Sequence, residues 1–372
     1  MRGVRVVAAV LAWLCLAPAV QADWPTYHGG TGLTGYADTV IGDKLSTLWR
    51  YRSPAAVMVT PVAAGSRIFV MAGSLAIALS RDGKELWRLD LGQQVEAPPV
   101  VAGKALVVGT STGTLFALRT DTGREVWRYE LGSRIQGSPN LLADNNGGSV
   151  LAISQSDGVL HRVRLSDGSR VWSTERTNRC DGSLAVDGGL VVYGNCDAAL
   201  YFHDAASGKR TGKVELLKDG QVYAGVALAD GNVYAGDRTG RLYAVQTKTG
   251  KILWVSEVAG ADLSSTPSVA PGIIVFSSDD GKVYAVNRKD GELAWSAETG
   301  GRPLSPVISG NRVLVSVDGT LFMLDLPTGG ILDRLELSDQ ITSPALVHDT
   351  IIVGTQEGYI IKIGTTKKDG QR

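Results

Sequence analysis

The sequence predicts an all-β fold: an eight-bladed β-propeller of four-stranded antiparallel blades. A tryptophan slot recurs about every 38 to 45 residues, and within each repeat three turn signals separate short runs rich in Val, Ile and Tyr. One such unit cannot bury both of its faces alone, so the units must stack, and a closed ring leaves no unpaired end. The slot holds, in order, Trp49, Trp87, Trp127, Trp172, Thr211 or Gly212, Trp254, Trp295, and Leu332 or Asp333.

Residues 266–295 show how one repeat forms a blade. Turns at Pro271-Gly272, Asp280-Gly281 and Gly291 separate four runs, and links this short join antiparallel neighbours. Proline, which lacks an N–H, often opens the first strand and places it innermost, where one strand edge is free. The tryptophan lies on the outermost strand, where its indole is predicted to dock structurally between blades while its N–H reaches a backbone acceptor.

Ring closure requires a strand from the front of the chain. Eight third strands can be counted, the last at residues 359–363, but no fourth strand follows it. Residues 45–51 are predicted to supply that strand, which closes the last blade and hides its edge. The sequence therefore predicts a lead segment at 23–44, a propeller at 45–364 and a polar tail at 365–372.

Residues 1–22 are predicted to be a cleaved signal peptide. Arg2 and Arg5 precede an apolar run at 6–16, and Val20 and Ala22 occupy the small-residue positions before cleavage. A membrane anchor is the alternative, but the run is shorter than the roughly 20 residues needed to span a bilayer. Lipidation at Cys15 is disfavoured because Leu14 precedes it where a small residue is required. We therefore expect an exported, unlipidated protein in the periplasm or cell envelope.

Charge and motif content disfavour nucleic-acid binding and catalysis. Lys plus Arg and Asp plus Glu each number 37, so no basic excess is present to bind nucleic acid. Residues 30–35 fit a dinucleotide-binding fingerprint, but they follow no strand and open no helix. The four histidines lack metal-ligand spacing. Acidic residues recur between second and third strands, which predicts an acidic rim or simply turns that favour Asp. We expect no catalytic, cofactor or metal site.

The two cysteines beyond residue 22 flank a hairpin in blade 4. Cys180 and Cys196 each lie eight residues from Gly188, so a symmetric antiparallel register sets them opposite each other. A disulfide bond between them would persist in an exported protein, because the compartments outside the cytosol are oxidising. A disulfide is predicted, and a reactive or metal-binding thiol pair is the less favoured alternative.

The repeat resembles that of pyrroloquinoline quinone (PQQ)-type propellers. The resemblance is carried by the segments ending at Trp127 (GTLFALRTDTGREVW) and Trp254 (GRLYAVQTKTGKILW), and by the opening WPTYHGGTGLTG. This superfamily includes quinoprotein dehydrogenases and the BamB family, whose members belong to the machinery that inserts β-barrels into the outer membrane. Eight plain blades without adjacent cysteines or a haem motif are closest in layout to the BamB family. The absent lipobox and the different loop before blade 4 are departures from it.

Two functions follow from this resemblance. The first is a non-enzymatic scaffold, a monomer that is either soluble or peripheral to the membrane, which binds protein partners such as the outer-membrane barrel-assembly machinery. The alternative is an oxidoreductase that holds PQQ with calcium. For the scaffold, the candidate partner-binding residues lie in loops leading into first strands, and Arg179→Glu is expected to weaken partner capture without lowering the melting temperature. These residues are Arg134, Gln136, Arg179, Asp181, Asp262 and Arg302.

Overall fold

The structure, a computed structural model, describes residues 24–144 and 147–366. Its strands form eight sheets with a core of four antiparallel strands each, arranged as an eight-bladed β-propeller. The predicted fold class is confirmed. The signal peptide proposed for residues 1–22 lies outside the described residues. Within the described ranges, no helix has the length and apolar character needed to cross a bilayer.

Each blade is a meander in which the first strand has only three residues. The strands of blades 1 to 4 are Val62–Ala64, Arg67–Ala72, Leu75–Ser80 and Glu85–Asp90; Val100–Ala102, Ala105–Gly109, Thr114–Arg119 and Glu125–Glu130; Asn140–Leu142, Ser149–Ile153, Leu160–Arg164 and Arg170–Ser173; Ala185–Asp187, Leu190–Asn195, Ala199–Asp204 and Arg210–Glu215.

Blades 5 to 7 repeat this order, and blade 8 combines the two ends of the described chain. Their strands are Ala227–Ala229, Asn232–Gly236, Leu242–Gln246 and Ile252–Ser256; Ser268–Ala270, Ile273–Ser278, Lys282–Asn287 and Leu293–Glu298; Val307–Ser309, Arg312–Val317, Thr320–Asp325 and Ile331–Glu336; Ala345–Val347, Thr350–Gly354, Tyr359–Thr366 and Lys44–Arg52.

The closing sheet joins the two ends of the chain as predicted. Lys44–Arg52 pairs antiparallel with Tyr359–Thr366, from Lys44 opposite Thr366 to Arg52 opposite Tyr359. The last strand therefore runs through Thr366 and passes the boundary predicted at residue 364. The first strands of successive blades contact one another from blade 1 to blade 7, and again between blades 8 and 1. They form the wall of the central channel.

Tryptophans on the outer strands fill the gaps between blades. Each of the six donates its indole N–H to a carbonyl oxygen of the following blade, at N···O distances of 2.7 to 3.2 Å. The indole face covers a glycine of that blade; at Gly329, for example, a Cβ would lie 2.5 Å from the Trp295 ring. These six residues are Trp49, Trp87, Trp127, Trp172, Trp254 and Trp295.

The two blades without the tryptophan use other contacts. In blade 4 the slot is Gly212, opposite Phe202, and Val214 faces Gly250 of the next blade. In blade 7 the slot is Asp333, whose Oδ2 accepts the backbone N–H of Leu45 at 2.7 Å in the closing strand. Blade 7 is thus attached to blade 8 by a carboxylate instead of an indole.

The chain before the closing strand crosses one end of the channel. In this floor segment, residues 24–37, carbonyl oxygens from Trp24 to Gly35 accept backbone N–H groups from the first strands of blades 1, 2, 4, 5, 6 and 7 at 2.7 to 2.9 Å. Blade 3 contributes the Asn140 side-chain amide, which donates to the Thr31 carbonyl. Tyr36–Ala37 then adds a short parallel strand to blade 7. One segment therefore touches seven blades.

Candidate functional site

The channel mouth is formed by the loops that connect each fourth strand to the next first strand. These mouth loops are residues 53–61, 91–99, 131–139, 174–184, 216–226, 257–267, 299–306 and 337–344. They surround a cavity of about 510 Å³ that is lined by residues from all eight loops and by Tyr27 of the floor segment. In blade 1, Thr60 lines the cavity, and Ala63, three residues later in the chain, forms the hydrogen bond to the floor segment. The floor segment therefore lies beyond the cavity lining as seen from the mouth. The channel is consequently open at the mouth and covered at the other end.

All six candidate partner-binding residues lie in mouth loops, and they fall into two groups. The first group covers blades 2 to 4. Arg134 forms an ion pair with Glu96 of the preceding loop, and Arg179 Nε lies 2.9 Å from Asp181 Oδ2 in its own loop. The Asp181 side chain is only 2% exposed, whereas that of Arg179 is 55% exposed. The pairing with Asp181 raises the pKa of Arg179, so this pair presents a fixed cation to solvent above a buried carboxylate.

Gln136 belongs to the same group through a shared amide. The side chain of Gln155 donates to the Gln136 side-chain carbonyl and to Asp181 Oδ1. Gln155 lies between the second and third strands of blade 3. One glutamine thereby fixes two mouth loops relative to each other, and loops fixed in this way are suited to binding without large rearrangement.

The second group lies across blades 5 to 7. Arg238 Nε is 3.1 Å from Asp262 Oδ2, and Arg302 Nη2 is 3.2 Å from Asp279 Oδ2. With Tyr223 they line a cavity of about 310 Å³ beside the channel mouth. The hydrogen bond to Asp262 raises the pKa of Arg238. Both signs of charge are therefore offered side by side, which favours a partner with its own mixed charges.

Sequence reasoning missed the apolar part of the mouth and the floor of the channel. Met58 and Tyr223 have exposed side chains in mouth loops, and both line the channel cavity. Tyr27 reaches the cavity from the floor segment. Neither exposed residue carries a local signal, but a Ser-Pro or Thr-Pro pair before five first strands marks the channel wall in the sequence. The Ser or Thr of these pairs could therefore have identified the channel wall from the sequence.

Acidic residues between second and third strands are held by their own blades. Asp237 is buried and accepts hydrogen bonds from Thr239, Arg241 and Tyr243. Asp280 Oδ2 accepts the Tyr284 hydroxyl at 2.6 Å. Within the described residues no group of three or more His, Cys, Asp or Glu could hold a metal ion. These carboxylates therefore behave as turn residues.

The predicted disulfide is not formed in the structure. Cys180 and Cys196 are free thiols, the first buried and the second partly exposed. The hairpin pairs Asp187 with Leu190, so its centre lies between Gly188 and Gly189 and the assumed register is wrong by one residue. Cys180 Sγ instead approaches the Gly194 carbonyl at 3.2 Å, and Cys196 Sγ lies 3.7 Å from Asp181. Burial raises the pKa of both thiols, so neither is an activated nucleophile.

Comparisons with known sequences agree on one family. A family model described as "Outer membrane protein assembly factor BamB" matches residues 21–213 and 196–371. The outer membrane protein assembly factor BamB of Shewanella oneidensis is 28% identical over 302 residues, which cover 80% of this chain and 69% of that protein. The two matches to the family model together span nearly the whole chain.

Comparisons with solved structures show the propeller fold. BamB from Moraxella catarrhalis superposes with a TM-score of 0.73 at 20% identity, covering 88% of this chain and 99% of that chain. Quinohemoprotein alcohol dehydrogenase from Comamonas testosteroni gives a TM-score of 0.77 at 15% identity, covering 94% of this chain and 82% of that chain. Because both identities are low, these likenesses show the fold alone and do not choose between a scaffold and an enzyme.

Proposed function

The chain belongs to the family of the outer membrane protein assembly factor BamB, and we propose that it is an exported, non-enzymatic scaffold whose mouth loops hold a protein partner during outer-membrane protein assembly. It would act as a monomer in the periplasm or elsewhere in the cell envelope. The observation that carries this proposal is the mouth itself, where paired charges and exposed apolar side chains stand on loops fixed by a rigid ring.

The composition of the mouth suits a protein partner. Protein interfaces are enriched in aromatic, Met and Arg side chains and have a polar, solvent-accessible rim. Tyr223 and Met58 supply the first feature. Arg302 with Asp279 and Arg238 with Asp262 supply the second. Since the ion pairs are already formed, a partner would find the loops preorganised.

The channel does not fit PQQ with calcium, the cofactor of the alternative enzymatic function. PQQ carries three carboxylates, so a site for it needs cationic or metal-bound partners. The charged residues among those lining the channel cavity are Glu96 and Asp181, both acidic, and their partners Arg134 and Arg179 are not among the lining residues. Calcium would have to supply the positive charge, but both carboxylates are already paired with arginines, and the described residues contain no group of three or more His, Cys, Asp or Glu that could hold a metal ion.

Site-specific photocrosslinking in the native envelope tests the scaffold function. A photoreactive phenylalanine analogue replacing Tyr223 should crosslink to a subunit of the barrel-assembly machinery, identified by mass spectrometry. The same analogue replacing Leu253, which is exposed on an outer strand, is the control and should give no such product. Equal crosslinking from both positions, or none from Tyr223, would contradict the proposal.

A charge reversal measures the contribution of the rim. Arg302→Glu should reduce the Tyr223 crosslink several-fold because it removes the cation beside Asp279 and repels an acidic partner group. The matched control is Lys248→Glu, another exposed cation, in the turn between third and fourth strands of blade 5. That turn lies at the opposite end of the blade from the mouth loops, so the control should leave the crosslink unchanged.

A further inference from the structure

The channel is a second candidate binding site, which lies between the mouth and the floor segment and shares Tyr223 with the mouth. Its volume of about 510 Å³ lies within the range of roughly 300 to 1,000 Å³ typical of small-molecule sites. The floor segment covers the far end, so a ligand could enter only from the mouth. The chemistry of the wall then decides what fits.

Three hydroxyl groups of the wall, in blades 4, 6 and 7, accept backbone amides from the preceding blade. The amide of Ser138 donates to Ser183 Oγ at 2.9 Å, that of Gly225 to Thr266 Oγ1 at 3.1 Å, and that of Thr266 to Ser305 Oγ at 2.9 Å. Each hydroxyl therefore uses an acceptor lone pair within the protein and keeps its hydrogen for donation.

Tyr27 completes this arrangement at the floor of the channel. Its hydroxyl oxygen lies 2.8 Å from Ser305 Oγ and 3.3 Å from Thr266 Oγ1. Three hydroxyl hydrogens are present, but only two contacts join the three oxygens. At least one hydrogen is thus not used within this trio, and a ligand or water in the cavity can accept it.

Nearer the mouth the wall presents acceptors and an apolar surface instead. Glu96 and the Gln136 side-chain carbonyl offer oxygen atoms, whereas the Asp181 side chain is almost inaccessible, and the Tyr223 ring is exposed in the same lining. The two carboxylates are paired with Arg179 and Arg134, so the local charge is balanced. A ligand with a net negative charge finds no free cation in this lining, and a cation gains little from acids that are already paired.

We propose that the channel binds a neutral saccharide of one or two sugar rings. Sugar hydroxyls both donate and accept, so they match donors at the floor and acceptors at the mouth at the same time. The apolar C–H face of a sugar ring can pack against the exposed ring of Tyr223. This function goes beyond partner binding at the rim, and neither depends on the other.

Calorimetric titration of the purified protein with maltose and with N,N′-diacetylchitobiose tests this proposal. At least one of these neutral disaccharides should bind with one-to-one stoichiometry and a dissociation constant below about 1 mM, near −4 kcal/mol. The hyaluronan disaccharide, which carries one carboxylate, should bind at least about tenfold more weakly. Failure of both neutral sugars to bind at about 10 mM would overturn the proposal.

Two variants locate the binding site, and the milder of them keeps the test valid if the other variant misfolds. Ser343→Phe fills the cavity from the blade 8 loop and should abolish sugar binding. Tyr223→Ala leaves the wall intact and should weaken binding about three- to tenfold through the lost ring contact. Leu253→Ala on an outer strand is the control and should change nothing. Sugar binding that persists in Ser343→Phe would place the site elsewhere and overturn the proposal.

The outcome is distinguishable from that of the scaffold test. If Ser343→Phe abolishes the Tyr223 crosslink while neither sugar binds, the channel receives a loop of the protein partner and the saccharide proposal is wrong. If sugars bind but no crosslink forms, the scaffold function fails and the saccharide site stands.

Discussion

His28 is a buried titratable residue in the floor segment, with an exposed fraction of 2%. Burial lowers its pKa from 6.5 to about 3, because a charged imidazolium is poorly solvated there. The unfolded chain therefore binds the proton more tightly than the folded protein. The contribution of His28 to the free energy of unfolding is therefore fully present above pH 6.5 and is lost as the pH falls toward 3. At pH 5 the protonation of this one residue should cost about 2 kcal/mol.

The variant His28→Asn tests this pH dependence. His28 has a φ of 55°, a left-handed conformation that asparagine adopts more readily than most residues. We expect the free energy of unfolding in urea to fall less between pH 7.5 and pH 5 in the variant than in the original protein, by about 2 kcal/mol. Burial also lowers the pKa of His161, to about 4, and that of His203, so some dependence should remain. Equal losses in both proteins would contradict the assignment to His28.

Arg179 shows how burial changes an expectation based on sequence. From its loop position alone, Arg179→Glu was expected to leave the melting temperature unchanged. In the structure Arg179 is paired with Asp181, whose side chain is nearly inaccessible. Reversal would set two carboxylates together and leave the buried one without its cation, although Gln155 still donates to it, which should cost about 1 to 3 kcal/mol. Thermal unfolding should show the loss for Arg179→Glu and a smaller one for Arg302→Glu, because Asp279 is more exposed.

At the scale of the element, the contact between tryptophan and glycine explains how blades are held side by side. Gly329 and Gly231 share a φ of 73°, but a Cβ on Gly329 would meet the Trp295 ring whereas one on Gly231 would meet nothing within 4 Å. Gly231→Ala should cost about 1 kcal/mol from backbone strain alone. Gly329→Ala should cost at least about 1 kcal/mol more, because the Trp295 indole must shift and its hydrogen bond to the Leu326 carbonyl is disturbed. Urea unfolding of the two variants measures the difference; equal losses would show that the contact is unimportant.

The sequence predicts the blades well because their signals are local. Turn residues and alternating apolar runs define each strand, and the closing strand follows from a missing fourth strand. Three features were not predictable. A β-bulge precedes the tryptophan slot in every blade, but the bulged residue is an ordinary strand residue, Leu in four blades and Val, Thr or Ala in the others, so it does not mark the bulge.

The other two failures have separate physical causes. The turn at Gly188-Gly189 has positive φ at both residues, which makes it a two-residue turn and moves the centre of the hairpin off Gly188. The floor segment makes its contacts with residues up to 270 or so positions away, so nothing in its own sequence indicates its path. Of the candidate site, the charged mouth residues were found from loop position, whereas Tyr27 and Tyr223 required the fold.

At the scale of the whole molecule, the ring depends on one sheet that joins both ends of the chain. Asp333 of blade 7 accepts the Leu45 amide and lies 3.2 Å from Lys44 Nζ, so it attaches the closing strand to its neighbour. Asp333→Ala leaves that amide without its acceptor, at a cost of about 1 to 2 kcal/mol. Both Lys44–Arg52 and Tyr359–Thr366 should then exchange amide hydrogens about tenfold faster, because paired strands open as one unit.

The location of the change separates a local opening of the ring from general loss of stability. Hydrogen exchange followed by mass spectrometry should show faster exchange in both strands of the closing sheet and little change in blade 3, which lies far around the ring. Asp121→Ala is the matched control, since it removes an exposed carboxylate that forms an ion pair with Arg119 of its own blade and should leave exchange unaltered. Faster exchange in only one of the two closing strands would mean that they do not protect each other. An equal increase in all blades would mean that the ring opens only by global unfolding.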